Sequence, residues 1–334
     1  MAVLVTGGAG YIGSHMVLAL LERDEKVVII DDLSTGFSWA VPPGAEFYIA
    51  DFGDYETVSS LLNKHHIQEI IHFAAKIVVP DSVVDPLGYY NNNTVKARAL
   101  LAAAVRNNVR NFIFSSTAAV YGDPVNDLVG EEDGLKPLSP YGRSKLMVEW
   151  MLDDISHAHP LTYAILRYFN VAGADPLGRS GQSSKIATHL IKVAVQAAIG
   201  ARDHVKLFGD DYPTPDGTCV RDYVHVMDLV SAHIKALTYL RDHNKNMICN
   251  CGYGRGFSVR EVLTAVRDVS GVNFPIENAP RRAGDPAKIV ASNHMIKRLL
   301  GWEAQFDDLH KIIEHALIWE ENLRTKNNAP LIVG

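Results

Sequence analysis

The N-terminal segment has the pattern that most restricts the fold. The apolar run Val3-Leu4-Val5 precedes Gly7, Gly10 and Gly13, which have the spacing G-x-x-G-x-x-G, and Asp31 follows Gly13 by eighteen residues. Glycines in such a turn let the backbone approach a pyrophosphate, which then lies at the N-terminus of the next helix. The order strand, glycine loop, helix, strand and acid therefore predicts a dinucleotide-binding βαβ unit.

The acid that ends the second strand indicates which dinucleotide is bound. A carboxylate at Asp31 accepts hydrogen bonds from a ribose 2′-hydroxyl and repels a 2′-phosphate. No Arg or Lys occurs between Asp31 and Ala45. The sequence therefore predicts NAD rather than NADP, held by the loop and acid residues Gly7, Gly10, Tyr11, Ile12, Gly13 and Asp31.

Strand and helix patterns continue to alternate up to residue 170 and become less regular beyond it. This predicts an α/β fold, with a Rossmann-type doubly wound parallel sheet and a smaller C-terminal substrate lobe. We expect an NAD-binding domain over residues 1–170 and a smaller substrate-binding lobe over 171–334, with segments of about 221–251 returning to the first domain.

Three positions in the first domain allow two interpretations each. Asp51-Phe52 either contacts the adenine edge or, through Asp51, caps the next helix. The small residues Ala74 and Ala75 either leave room for a ligand or pack closely. Leu87–Asn107 predicts one long helix, in which Asn is a poor residue; Asn92 either steadies loops around the cofactor or marks a bend or cap.

A Tyr and a Lys four residues apart suggest the chemistry. Tyr141 and Lys145 lie on one face of a predicted helix. A free phenol loses its proton near pH ~10, and a neighbouring ammonium lowers that pKa. Tyr141 could then act as general base on a sugar or alcohol hydroxyl.

Composition excludes several classes of function. The chain has 334 residues, 47% of them hydrophobic, and a net charge of −6, which does not favour binding to nucleic acid or an anionic membrane. No apolar run approaches ~20 residues, so we expect a soluble, cytoplasmic protein. The three cysteines indicate no disulfide framework, and Cys249 and Cys251 are expected to alternate in a strand without binding metal.

Several motifs together resemble one enzyme family. Gly7–Gly13, Ser115-Ser116-Thr117 and Tyr141-Gly-Arg-Ser-Lys145 resemble the extended short-chain dehydrogenase/reductase family. Narrower motifs resemble its UDP-glucose 4-epimerases and extend the likeness over nearly the whole chain. These motifs are Arg167–Asn170, Phe208–Thr214, Gly217–Tyr223 and Ala279–Asp285.

The resemblance implies reversible 4-epimerisation of UDP-glucose and UDP-galactose through a transient 4-keto sugar, with NAD as a permanently bound redox partner. It implies that Tyr141 takes the proton from the sugar 4-hydroxyl and that Thr117 hydrogen-bonds the reacting oxygen. Lys145 then holds the nicotinamide ribose and lowers the pKa of Tyr141. Further residues implied at the cofactor are Asp51, Phe52, Phe73, Ala74, Ala75, Asn92, Ser115 and Tyr168.

The resemblance also implies how the nucleotide is held. Arginine forks suit a diphosphate, and binding energy placed on the UDP leaves the sugar free to turn. The implied substrate residues, besides Thr117 and Tyr141, are Asn170, His189, Leu190, Phe208, Arg221, Arg282 and Asp285. A homodimer through Leu87–Asn107 and Tyr141–His157 is implied as well.

The sequence departs from the family pattern at three places. Ile77 stands where many members have a Lys that touches NAD, and Lys76 lies one position early. His189 replaces an Asn and can still donate a hydrogen bond. Ile289 is intermediate between the large Tyr that excludes N-acetylated sugars and the small residues that admit them.

Other functions remain as alternatives. A 4,6-dehydratase of the same family carries an Asp-Glu pair where this chain has Ala118-Ala119. UDP-uronate enzymes need a cationic contact for the C6 carboxylate, which we cannot identify. UDP-N-acetylhexosamine epimerases are left open by Ile289. A non-catalytic NAD-binding protein would usually lack Tyr141 or Lys145, and both are present.

Overall fold

A seven-stranded parallel sheet forms the centre of the protein. The computed structural model describes residues 2–184, 187–282 and 284–328. The sheet has the strand order β10-β6-β5-β4-β1-β2-β3. All seven strands are parallel, and from the neighbours β1 and β4 the chain adds further strands in opposite directions across the sheet. Its strands are β1 (Ala2–Thr6), β2 (Lys26–Asp31), β3 (Glu46–Ile49), β4 (Ile67–His72), β5 (Asn111–Thr117), β6 (Thr162–Tyr168) and β10 (Met247–Cys251). The predicted doubly wound fold is confirmed.

Helices cover both faces of this sheet because side chains alternate along each strand. Leu4 packs in one core with residues of α2 (Tyr55–Lys64), α5 (Lys96–Arg106) and α6 (Pro140–Ala158). Its neighbours Val3 and Val5 pack in a second core with α1 (Tyr11–Leu21) and α8 (Val226–His243). The carboxyl ends of the strands are left open between these layers, at the reversal of strand order where ligands bind in such folds.

The rest of the chain forms a smaller set of sheets and helices. Strands β7 (Asn170–Ala172), β9 (Val220–His225), β11 (Gly256–Ser258) and β13 (Lys288–Ile289) make one sheet, and β8 (Val205–Phe208) pairs with β12 (Ile276–Ala279). The helices are α7 (Leu190–Ala198), α9 (Val259–Ser270), α10 (His294–Leu300) and α11 (Leu309–Asn328).

The segment before α5 differs from the predicted single helix. A short helix α3 (Val79–Val84) begins with Pro80 in its first turn, and α4 (Pro86–Tyr90) follows. The residues Asn91–Val95 then form a π-helical turn before α5. Such turns often occur at functional sites, and this one accounts for the cluster of asparagines.

Cys249 and Cys251 are buried, unpaired residues of β10, and Cys219 is also buried and free. Among the described residues, no group of His, Cys, Asp or Glu could hold a metal ion. In the same part of the chain, no helix is long and apolar enough to cross a membrane.

Buried histidines make the stability of the fold depend on pH. Burial lowers the pKa of His15 and His233 to about 4 and that of His225 to about 3. His225 contacts His315 at 2.9 Å between Nε2 and Nδ1. The unfolded chain therefore binds more protons than the folded chain below pH ~6.5, and the free energy of unfolding falls as the pH falls.

We predict a melting temperature that falls continuously from pH 6.5 towards pH 4.5, measured by differential scanning calorimetry. His310→Gln serves as the matched control, because the side chain of His310 is 60% exposed. This variant should show the same decline. Equal melting temperatures of the wild type at pH 5 and pH 7.5 would contradict the prediction.

Candidate functional site

The glycine loop is tightly packed at the carboxyl end of β1, with the backbone of Gly13 close to that of Gly7. Gly7 has a φ of +72°, and a Cβ there would lie 2.7 Å from the backbone nitrogen of Ala74. A Cβ on Gly13 would lie 2.1 Å from the carbonyl oxygen of Gly7. Gly10 precedes α1, and its carbonyl accepts a hydrogen bond from Ser14 N at 3.0 Å. The loop therefore leaves a space without side chains at the N-terminus of α1, and this is where a pyrophosphate would bind.

Asp31 lies beside this loop and is buried. Its carboxylate accepts hydrogen bonds from Ala9 N at 3.0 Å and from Leu33 N at 2.9 Å. Burial raises its pKa. Each carboxylate oxygen has more than one acceptor site, so Asp31 can also accept from a ribose hydroxyl.

Tyr11 connects the loop to the second part of the chain. Its hydroxyl donates to the carbonyl of Gly173 at 2.6 Å, and burial raises its pKa strongly. Ile12, the next residue, is half-buried at the start of α1. The start of α1 is therefore held to both parts of the chain.

Asp51 and Phe52 follow β3. Asp51 does not cap α2, since Asp54 is the N-cap. Instead, Asp51 pairs with Lys96 at 2.6 Å and accepts from Gly53 N at 2.8 Å. Phe52 is buried with its ring 4.9 Å from that of His72. The capping interpretation is wrong, and an adenine contact stays a prediction.

Phe73, Ala74 and Ala75 follow β4 and are all half-buried. The backbone nitrogen of Ala74 donates to Thr6 Oγ1 at 3.3 Å, and the ring of Phe73 lies 4.9 Å from that of His233. Ala74 thus packs directly on the glycine loop, so close packing is observed here. A ligand contact stays a prediction.

The π-helical turn places Asn93, not Asn92, between the loop after β4 and helix α6. Asn93 accepts from Lys76 N and donates to Lys76 O, each at 2.9 Å, and donates to Ser144 Oγ at 3.1 Å. Asn92 donates to Asn93 Oδ1 at 3.1 Å. The bend that was one interpretation of Asn92 is observed as this π turn, and a role of Asn92 in steadying loops around the cofactor stays a prediction.

Tyr141, Thr117 and Lys145 meet where β5 ends and α6 begins. Tyr141 is buried in the first turn of α6, and Thr117, the last residue of β5, lies near its phenol and acts to lower the pKa of Tyr141. Lys145, one turn later, donates from Nζ to the carbonyl of Ser115 at 2.8 Å. Burial lowers the pKa of Lys145 to about 7, and Glu149 acts in the opposite direction.

The pKa of Tyr141 differs from the prediction. The sequence predicted that Lys145 lowers it, but in the structure burial raises it, and Thr117 acts in the opposite direction. The reason is that the phenol is buried, and burial disfavours the charged phenolate. Tyr168 lies next to this group at the end of β6, and burial raises its pKa strongly.

The second part of the chain assembles a cationic group. Asp285 accepts from Arg282 Nε at 2.9 Å and lies 3.8 Å from Arg221. The guanidinium of Arg282 stands 4.9 Å from the centroid of the Phe208 ring. The structure therefore brings together two arginines, an acid and an aromatic ring that are far apart in sequence. Such a group can hold an anionic nucleotide.

A small cavity of about 20 Å³ lies between β7 and the start of α7. Asn170, His189, Leu190 and Tyr223 are among the residues that line it. Gln182 Nε2 lies 2.7 Å from His189 Nδ1. Tyr223, which the sequence analysis noted only as part of a motif, lies beside Asn170 on the adjacent strand.

The three departures from the family pattern have different positions. Lys76 is exposed and lies 3.7 Å from Asp85, and Ile77 is also exposed. Ile289 is buried in a small cluster with Ala118 and Leu146, close to Thr117 and Tyr141 in sequence. A residue at 289 is thus placed near the predicted reaction site, whereas Lys76 and Ile77 lie on the surface.

The family model for the NAD dependent epimerase/dehydratase family matches residues 3–252. The chain belongs to this family. NAD fits its site: the loop has no room for a Cβ at Gly7 or Gly13, and Asp31 faces the ribose position with acceptor sites to spare. Related proteins with solved structures have the same fold.

Named relatives and solved structures are similar over nearly the whole chain. A UDP-glucose 4-epimerase of Azospirillum brasilense is 50% identical over 321 residues, 96% of this chain and 92% of that protein. A crystal structure of a UDP-glucose 4-epimerase has a TM-score of 0.94 at 45% identity and covers 99% of both chains. The Bifidobacterium longum enzyme, described in complex with NAD+ and UDP, has a TM-score of 0.92 at 34% identity and covers 96% and 98%.

We predict that Gly13→Ala abolishes retention of NAD, because the new methyl group would overlap the Gly7 carbonyl oxygen. The dinucleotide released from purified, denatured protein is quantified by chromatography. Gly134→Ala is the matched control, since a Cβ there meets nothing within 4 Å, and it should carry as much NAD as the wild type. Full occupancy in Gly13→Ala would refute the role of the loop.

Proposed function

We propose that the protein catalyses the reversible 4-epimerisation of UDP-glucose and UDP-galactose through a transient 4-keto sugar, with NAD held as a bound redox partner. The observation that carries this proposal is that Tyr141 lies one turn before Lys145 in α6 with Thr117 near its phenol, while the glycine loop follows β1 of the same parallel sheet. The similarity to proteins named UDP-glucose 4-epimerase supports it.

Tyr141 is the proposed general base for the sugar 4-hydroxyl. Thr117 hydrogen-bonds the reacting oxygen, and it acts to lower the pKa of Tyr141. Protonated Lys145 provides the positive charge beside the phenol. The same phenol returns the proton when the keto group is reduced, so the chain ends each cycle unchanged.

The glycine loop and Asp31 hold NAD in this proposal, with the other cofactor residues around it. When bound, NAD accepts the hydrogen from C4 as hydride and returns it. The chain's own contribution is to orient the sugar and to exclude water, because Tyr141, Lys145 and Tyr168 are all in a buried pocket. Asp51, Phe52, Phe73, Ala74, Ala75, Asn92 and Ser115 remain proposed contacts.

The UDP moiety supplies the binding energy. Arg221 and Arg282 are the proposed contacts of the diphosphate, with Asn170, His189 and Leu190 at the small cavity. Phe208 is proposed to lie against the base and Asp285 to bind the ribose. Strong contacts at this end leave the 4-keto sugar free to turn and present its other face.

The alternatives need different side chains in the site. A 4,6-dehydratase would need an acid and a base where Ala118 and Ala119 stand. A UDP-uronate 4-epimerase would need a cationic contact for the C6 carboxylate, and the intermediate size of Ile289 is compatible with a UDP-N-acetylhexosamine 4-epimerase. The assay below therefore includes these sugars.

We further propose the division into a domain of residues 1–170 and a substrate lobe of residues 171–334, with segments of about 221–251 belonging to the first. A cytoplasmic location is proposed as well, and three free cysteines agree with a reducing compartment. The proposed quaternary structure is a homodimer.

Conversion of UDP-galactose to UDP-glucose by the purified protein without added NAD is the expected result, read by chromatography. The same assay uses UDP-N-acetylgalactosamine and UDP-galacturonate. We predict that Tyr141→Phe retains NAD but loses at least ~100-fold in kcat, since general base catalysis contributes about that much.

Tyr48→Phe is the matched control, since Tyr48 lies on the edge strand β3, away from β5, with its hydroxyl 2.9 Å from His65. It should keep wild-type turnover. Near-normal epimerisation by Tyr141→Phe would overturn the base assignment, and release of a 4-keto-6-deoxy product by the wild type would indicate the dehydratase.

The proposed dimer is supported by apolar side chains on the predicted segments. Leu87 is 79% exposed, Val95 53% and Trp150 57%. We predict that Trp150→Glu converts the dimer to a monomer in light scattering coupled to size exclusion, because it places a charge in an apolar interface. Val125→Glu, at an exposed valine in another region, should remain dimeric. A monomeric wild type would contradict the proposal.

A further inference from the structure

Three polar side chains lie in one row across the sheet, beneath the helix that carries Tyr141. In the parallel register, Ser116 of β5 is opposite Arg167 of β6, and Arg167 is opposite Asn250 of β10. Residues opposite each other in a sheet point to the same face. This is the face covered by α6, because Phe114, two residues before Ser116, packs with Val148 of α6.

The carboxylate of Glu149 on α6 forms an ion pair with the Arg167 of this row. It accepts hydrogen bonds from Arg167 Nε at 3.1 and 3.3 Å and from Arg167 NH2 at 2.7 Å, and it also accepts one from Ser116 Oγ. The two side chains are only 4% and 3% exposed. A buried pair of this kind is strongly destabilising to break, because one charge is then left without a partner.

The guanidinium of Arg167 is also connected to Asn250, at the other end of the row. Arg167 NH1 donates to the hydroxyl of Tyr121 at 2.9 Å and to the carbonyl of Glu131 at 3.3 Å. Tyr121 in turn donates to Asn250 Oδ1 at 2.7 Å. Every strand of the row is therefore connected to Glu149, and no role in the proposed reaction uses these groups.

Ser116, Arg167 and Glu149 are close in sequence to residues of the proposed site. Ser116 precedes Thr117, Arg167 precedes Tyr168, and Glu149 follows Lys145 by one turn of α6. We propose that Glu149, held by Arg167 and Ser116, is a positioning residue for the reaction. It fixes the helix bearing Tyr141 and Lys145 against the strand ends and supplies the carboxylate that keeps Lys145 charged. This inference rests on the proposed function.

The other groups around Lys145 do not replace this carboxylate. From β5 it faces a carbonyl, that of Ser115, and the Phe114 ring at 4.8 Å. From β4 it faces His72, whose pKa burial and Lys145 both lower, so that it is neutral. On α6 itself, Glu149 raises the pKa of Lys145, while Tyr141 is a neutral phenol. Tyr89 faces Tyr141 from α4 and is also neutral, with a pKa of about 12.

The test measures kcat against pH for UDP-galactose conversion by the holoenzyme. Removing the carboxylate lowers the pKa of Lys145, so the charged lysine is lost at lower pH. Glu149→Gln should shift the alkaline limb of the profile down by about one unit and reduce kcat at pH 8.5 about 10-fold. KM should change less than about twofold, because the UDP contacts are remote.

Asp153→Asn is the matched control on the same helix. Asp153 is four residues beyond Glu149 and accepts from the Tyr163 hydroxyl at 3.0 Å. It should keep the wild-type pH profile even where its melting temperature is lower. Glu149→Asp, which keeps the charge, should keep the position of the alkaline limb with reduced kcat.

A double variant, Glu149→Leu with Arg167→Met, separates positioning from stability. Replacing both members of a buried pair by apolar residues often leaves stability unchanged, so this variant also serves if Glu149→Gln does not fold. It should melt close to the wild type and still show the shifted alkaline limb. A wild-type profile in either folded variant would overturn the inference, whereas a wild type without epimerase activity would refute the proposed function instead.

Discussion

The buried ammonium of Lys145 is the constraint on which the site depends. A buried charge without hydrogen bonds is strongly unfavourable, so its position is restricted to places with suitable partners. Lys145 finds the Ser115 carbonyl at 2.8 Å and the face of the Phe114 ring. Both partners belong to β5, and this strand also ends in Thr117. The lysine therefore aligns α6 with the strand end, and Tyr141 meets Thr117 as a consequence.

The two ends of the site differ in polarity. Around the nucleotide end, Asp285 lies between Arg221 and Arg282, so the arginines are held in place before a diphosphate arrives. Near the reacting groups the cluster is apolar, with Ala118, Leu146, Phe169 and Ile289. An apolar wall offers a sugar no hydrogen bonds that favour one orientation. Under the proposed function, this contrast allows the sugar to turn while the nucleotide stays bound.

Sequence reasoning succeeded where the physics is local. The glycine spacing predicts its own loop because a Cβ at Gly13 would meet the carbonyl oxygen of Gly7 in the same loop, and Tyr141 and Lys145 share a face by helical periodicity. It failed where the outcome depends on distant residues. The predicted long helix is interrupted by a π-helical turn whose Asn93 binds the loop after β4, and burial by several elements reversed the predicted direction of the Tyr141 pKa. The grouping of Phe208 with Arg282 was available only through the resemblance, since no spacing connects them.

The reversed pKa has a consequence for the proposed chemistry. Burial raises the pKa of Tyr141 and lowers that of Lys145, so the pocket by itself favours the neutral form of both groups. A charged pair becomes favourable when a further positive charge lies beside the phenol, since each opposite charge stabilises the phenolate. When bound as proposed, NAD would supply such a charge in its oxidised form and not in its reduced form. Under the proposed function, proton removal by Tyr141 would then be favoured while the cofactor is oxidised, and proton return while it is reduced.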